Sequence, residues 1–207
     1  MTANSTPMES PETDLIKASK NGDNEAFSEL IRRYEGRIFN LAHKVCVGLP
    51  AEAEDVYQET FLMAFKKIGQ FRSSSALGTW LYRIAANLCW MRLRKKKREP
   101  FVPLLDQPHG QSESENSGRE RRFKDWSINP EEMAGKKELG SAVAKAMGKL
   151  PVKYRLVVAL RDIEGLSNKE IAKILDISLP AVKSRLHRGR LYIRDGLNEC
   201  LKTGFAA

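Results

Sequence analysis

Little in this chain of 207 residues can staple a fold covalently, cross a bilayer or run a reaction of its own. Its three cysteines, Cys46, Cys89 and Cys200, contain no C-x-x-C pair, and an odd count leaves one thiol over in any pairing scheme. That usage fits a reducing compartment rather than a secreted disulfide framework. His43 and Cys46 stand three apart and share a helix face, but two donors without partners make no metal centre, so no metal and no cofactor is expected. No purely apolar run is longer than residues 156–160, far short of the ~20 residues a membrane helix needs, and the first residues are polar and acidic without an apolar signal core. Glycine-rich phosphate loops are missing, as is any nucleophile spaced with a His and an acid. His43, His109 and His187 are scattered. No stretch alternates as a strand does. These absences point to a soluble cytoplasmic protein that is not an enzyme.

What the chain does have is positive charge and helical spacing. A formal net charge of +9 and a pI near 9.5 call for a polyanionic partner such as nucleic acid, while 42% hydrophobic residues suffice for modest cores. Residues 1–12, with Pro7, Pro11 and several hydroxyl side chains, read as a disordered tail. From Asp14 onward Leu15, Ala18, Phe27, Leu30, Ile31, Tyr34, Ile38, Leu41 and Val45 recur every three or four residues, with a break at residues 21–23. A second helical set runs from Pro50 through Val56, Phe61 and Phe65 to Gly69. A third begins near Thr79, a suitable N-cap, and continues through Leu81, Ile84, Leu88 and Met91. Residues 99–130, with Pro100, Pro103 and Pro108 and a charged run, carry no apolar face and read as a flexible linker. Helical spacing resumes after Pro130, stops at Leu150-Pro151, and resumes until Gly165. The expected fold is all-α: two small helical domains, residues 13–98 and 131–207, joined by that linker.

Residues 164–194 are the most informative. Ser167 and Glu170 make a capping box, Asp176 suits a tight turn, and Ser178 caps a second helix with Pro180 in its first turn. This is the spacing of a helix-turn-helix. At 100° per residue Val182, Leu186, Gly189 and Ile193 share one face of the second helix, leaving Lys183, Ser184, His187 and Arg188 outside it. No acid interrupts residues 181–194, where Lys183, Arg185, Arg188, Arg190 and Arg194 are cationic, as a helix among phosphates requires.

Two features in the first half bear on partners. Glu52, Glu54, Asp55 and Glu59 collect acid on a helix of an otherwise basic protein, a charged surface for docking another protein. The loop 72–78 leads into a helix with Trp80, Tyr82, Arg83, Asn87 and Trp90, followed by the basic run 92–98; aromatics beside cations suit unstacked bases and their phosphates.

These segments resemble a known family. LPVKYR (150–155), LRDIEGLS (160–167) and AVKSRLHR (181–188) look like the second conserved domain of bacterial sigma factors. AEDVYQETF (53–61) resembles the polymerase-binding segment, and Phe71-Arg72 with TWLYRIAANL (79–88) resembles the promoter-melting segment. The lack of a further helical domain in the linker is similar to the extracytoplasmic-function group. The resemblance implies an alternative sigma factor with core RNA polymerase and promoter DNA as partners, and an anti-sigma factor besides. It implies polymerase contacts through Asp55, Gln58 and Glu59. Flipped bases of the minus-ten element would be held by Phe71, Ser73, Ser74, Ala76, Leu77, Trp80, Arg83 and Asn87, with Arg92 and Arg94 gripping the backbone. Minus-thirty-five contacts would come from Lys183, Ser184, Arg185, His187 and Arg188. The competing reading is a stand-alone helix-turn-helix repressor or activator, which needs neither the acidic helix nor the melting loop.

Overall fold

The computed structural model describes residues 11–72, 76–97 and 130–202, with side chains over 11–72, 76–95 and 140–198. Nearly all of the expected tail and linker therefore lies outside the described residues, as do Ser73 and Ser74. Among the described residues there is no strand.

The first group of helices follows its caps and turns. Helix α1, Glu12–Lys20, ends in a turn where Gly22 takes φ +91°, open to glycine without a Cβ penalty. The Asp23 carboxylate then accepts hydrogen bonds from the Glu25 and Ala26 amides at 2.9 and 3.0 Å, starting α2, Asn24–Val45. Helix α3, Pro50–Lys67, has proline in its first turn, where the missing N–H costs nothing, and runs into a 3-10 turn, Ile68–Gln70. Helix α4 spans Leu77–Lys97 and so begins upstream of the expected cap at Thr79. Leu77 is only 2% exposed, and its burial draws the helix start toward the core while the Ala76 carbonyl accepts from the Trp80 amide at 3.3 Å.

The second group contains α5, Pro130–Lys149, and α6, Val152–Val158. A π turn, Ala159–Ile163, continues α6 before Gly165, at φ +73°, ends it. Helix α7, Asn168–Leu175, carries the expected reciprocal capping box between Ser167 and Glu170. Asp176 sits in the left-handed region, φ 53° and ψ 51°, and Ser178 accepts from the Ala181 amide at 3.3 Å as α8, Leu179–Lys202, begins. Helix α8 lies very close to α6 at Gly189, where a Cβ would meet Val158 Cγ2 at 2.7 Å.

Both groups share one apolar core that includes Ile38, Leu41, Val56, Leu88, Val157, Leu160, Ile171 and Val182. Burying each such side chain contributes roughly 1.5–3 kcal/mol. The contact between the groups puts α4 against α7 and α6, and α2 against α5. Polar ties cross it as well. The Tyr82 hydroxyl donates to Glu164 at 2.6 Å, and Arg155 Nη1 donates to the Val45 carbonyl at 2.7 Å. Burial raises the pKa of Glu164, partly offset by the Tyr82 hydrogen bond, and burial also raises that of Tyr82.

Two outcomes follow. Gly189→Ala should destabilise the protein by about 1–3 kcal/mol in denaturant unfolding, because the added methyl must displace Val158 at the α6–α8 crossing. A carboxyl whose pKa is raised by folding binds its proton more tightly in the folded state. Stability is therefore lost as pH rises from the ordinary glutamate range through the raised folded value. Glu164→Gln keeps an acceptor for Tyr82 but does not titrate, so wild type should lose stability relative to this variant across that window in unfolding curves taken at several pH values.

Candidate nucleic-acid and protein interfaces

The helix-turn-helix presents the cationic surface its spacing predicts. Val182 is wholly buried, Leu186 is 7% exposed and Gly189 is buried, so this face of α8 packs inward. Lys183, Ser184, His187 and Arg188 are exposed together on the opposite face. Two expected cations are used elsewhere. Arg185 is 4% exposed, so its guanidinium belongs to the interior and not to the surface. Its position follows the helical period, which places residue 185 beside Leu186 on the inward side. Arg190 donates to both oxygens of Asp162, at 2.6 and 3.1 Å, an exposed fork worth little in stability.

On α4 the structure divides the expected minus-ten residues in the same way. Asn87 and Arg83 are exposed, Ala76 is exposed, and Trp80 is half-buried, its ring 5.2 Å from that of Phe71. Phe71 and Leu77 are core residues at 3% and 2% exposure, supporting the start of α4 rather than facing outward in this arrangement. Lys20 Nζ lies 5.7 Å from the centre of the Phe71 ring. Arg83 Nη2 is 3.9 Å from Asp176, the turn residue of the helix-turn-helix, so the two candidate surfaces touch. Gly78 admits Tyr34, whose Cε1 would stand 2.9 Å from a Cβ there. The Tyr34 hydroxyl donates to Glu12 at 2.6 Å, and burial with that hydrogen bond pushes its pKa up to about 12. Nothing in the spacing singled out Tyr34, because a half-buried tyrosine on an amphipathic helix is ordinary.

The acidic face of α3 has an internal organiser. Asp55 and Gln58 are exposed and Glu59 is half-exposed, on the side of α3 away from the buried Val56 and Thr60. Arg92, from α4, reaches across to all three neighbouring acids: Glu52 at 3.2 Å, Asp55 at 2.7 Å and Glu59 at 2.8 Å. The hydrogen bond to Glu59, then those to Glu52 and Asp55, raise the pKa of Arg92 above its usual value. An arginine expected on a DNA backbone is thus held by carboxylates on the acidic face of α3, which the linear basic run could not reveal. Gln58 donates to Glu54 at 3.2 Å along the same helix. Among the described residues no cluster of His, Cys, Asp and Glu could hold a metal, and no helix is long and apolar enough to cross a membrane.

Comparison with known proteins matches both groups of helices. Residues 30–99 match the family described as Sigma-70 region 2, and residues 141–193 match Sigma-70, region 4. The chain is 35% identical over 189 residues to the ECF RNA polymerase sigma factor SigW of Bacillus subtilis (strain 168), covering 89% of this chain and 95% of that one. It is also 35% identical over 176 residues to the ECF RNA polymerase sigma-E factor of Escherichia coli (strain K12), covering 85% and 88%. Among solved structures, CnrH in complex with the cytosolic domain of CnrY is similar in fold, with a TM-score of 0.63 at 24% identity over 91% of this chain and 97% of that one. The sigma factor RpoE in complex with the anti-sigma factor NepR from Bartonella quintana is similar too, with a TM-score of 0.58 at 20% identity over 83% and 96%. With both sigma regions matched in order and the likeness to its relatives running nearly end to end, the chain belongs to the ECF RNA polymerase sigma factors.

Proposed function

We propose that this sigma factor divides its work between residues 13–98, which dock on core RNA polymerase and open the minus-ten element, and residues 131–207, which read the minus-thirty-five element. The observation that carries the reading is the separation of charge at the surface: acid on α3 at Asp55 and Glu59, beside the exposed Gln58, and cations on α8 at Lys183 and Arg188, beside the exposed Ser184 and His187. A stand-alone repressor has use for the second surface but not the first. Asn87 and Arg83, with Trp80 behind them, would hold unpaired bases of the non-template strand, and Arg94 would steady the adjacent backbone. Phe71 and Leu77 then act by fixing the loop and the start of α4 rather than by touching DNA.

The chain supplies recognition and melting energy by binding unpaired bases better than paired ones, while the polymerase supplies the chemistry, so the sigma factor is no enzyme. It works in the cytoplasm, and an anti-sigma factor is its regulatory partner. The two promoter elements are named for positions about 25 base pairs apart, which is roughly 85 Å of duplex at ~3.4 Å per base pair. Helices α4 and α7 are in contact here, so reading both elements at once requires the two groups of helices to part.

Lys183→Ala and Arg188→Ala should each weaken binding of the assembled polymerase to minus-thirty-five duplex by about tenfold. Their affinity for core polymerase should stay unchanged in a fluorescence binding assay; loss of core binding would sink the surface assignment. Asp55→Lys should do the reverse, costing more than about tenfold in core affinity through like-charge contact. Normal assembly of that variant would mean that α3 is not the docking helix.

A further inference from the structure

Helix α1 stands before the residues that match Sigma-70 region 2, and the division of work above makes no use of it. Its inner face, at Leu15, Ile16 and Ser19, is buried, and it packs against α2 and the turn Ile68–Gln70. Each end of α1 also carries a polar side chain toward the approach to α4. At its first residue, Glu12 accepts a hydrogen bond from the Tyr34 hydroxyl at 2.6 Å. The Tyr34 ring in turn lies so close to the first turn of α4 that a Cβ on Gly78 would stand 2.9 Å from its Cε1. At its last residue, Lys20 places Nζ 5.7 Å from the centre of the Phe71 ring, which is itself 5.2 Å from the ring of Trp80. Nine residues rising ~1.5 Å each hold these two contacts about 12 Å apart. Trp80 thus has α1 behind it by two routes: through Tyr34 and the backbone at Gly78, and through the ring of Phe71.

We propose that α1 is a brace for base capture: Glu12, acting through Tyr34, and Lys20, acting through Phe71, are positioning residues that set the first turn of α4 and the plane of Trp80. The inference rests on the reading that Trp80, Arg83 and Asn87 hold unpaired bases of the minus-ten element. The buried apolar face already fastens α1 to its neighbours, so the two polar ends are not needed to hold it there. What they add is direction, because a hydrogen bond and a ring contact each fix an angle that apolar packing leaves loose. A base stacks well only on a ring offered at the right tilt and distance. Trp80 is half-buried, so a small rotation of the α4 start changes how much of its ring a base can cover. Gly78 is where the brace bears, since without a Cβ it lets the Tyr34 ring approach the helix backbone.

The test uses holoenzyme assembled from the full chain and core RNA polymerase, with fork-junction DNA whose upstream arm is paired and whose non-template strand is unpaired and randomised at the minus-ten position. The strand selected by the unaltered chain is sequenced, and its affinity for each variant holoenzyme is read by fluorescence anisotropy. Tyr34→Phe, which keeps the ring and removes the hydroxyl, and Lys20→Gln should each weaken that affinity by about three- to tenfold, the span of one lost hydrogen bond or cation–ring contact. Affinity for core polymerase and for fully paired minus-thirty-five DNA should not change. Glu12→Gln still accepts from Tyr34 and should bind as the unaltered chain does, whereas Glu12→Ala should lose as much as Tyr34→Phe. Because the brace works through Trp80, adding Tyr34→Phe to Trp80→Ala should cost no more than about a further twofold. Full additivity of those two substitutions would overturn the brace, as would variants that hold the unpaired strand normally or that lose core affinity to the same extent. Asn87→Ala separates this from the reading beneath it: weakened binding there with a silent Tyr34→Phe sinks the brace alone, and undiminished binding sinks both.

Discussion

The buried guanidinium of Arg155 is the constraint on which the placement of the helices depends. It ends α5 through the Gly148 and Leu150 carbonyls, ends α2 through the Val45 carbonyl, and belongs to α6, so three helices are positioned by one planar group. Removing it would leave buried carbonyls without donors, a larger cost than the net worth of the bonds themselves. Because Val45 lies in the first group of helices and Arg155 in the second, the same residue that completes the fold of one group fastens it to the other. Any separation of the two groups must therefore break this polar contact together with the Tyr82–Glu164 hydrogen bond.

Helix α4 carries the resulting conflict of duties. Its inner residues, Leu81, Ala85, Leu88 and Cys89, pack in the core, and Tyr82 meets Glu164 across the contact between groups. Arg92 holds three of the four acids of α3 in place, and Arg83 and Asn87 remain toward the outside. A helix fixed on so many sides transmits displacement. The acidic face of α3 and the exposed residues of α4 are thereby mechanically linked, since Arg92 joins the two helices through three ion pairs.

Much of the fold was legible because it rests on local rules. The breaks at Gly22 and Gly165, the Ser167–Glu170 capping box and the left-handed Asp176 are encoded in a few adjacent residues, and each stands where the spacing puts it. The inward face of α8 at Val182, Leu186 and Gly189 follows from helical period alone. What escaped the sequence is non-local. Arg185 read as a DNA contact by charge but is interior by packing, and Arg92 read as backbone-gripping but is claimed by acids that lie 33 to 40 residues away in the chain. The start of α4 at Leu77 was missed because a plausible cap at Thr79 competes with a core position that only the tertiary structure reveals. Arg155 gave no signal at all, since an arginine in an amphipathic helix is ordinarily a surface residue.

In vitro transcription tests the central claim most directly: core RNA polymerase on a library of genomic fragments, with and without this protein, mapping start sites. The account predicts new starts that appear only with the protein and share two spaced upstream motifs. No new starts, together with specific duplex fragments bound by the protein alone, would contradict it and identify a stand-alone DNA-binding regulator.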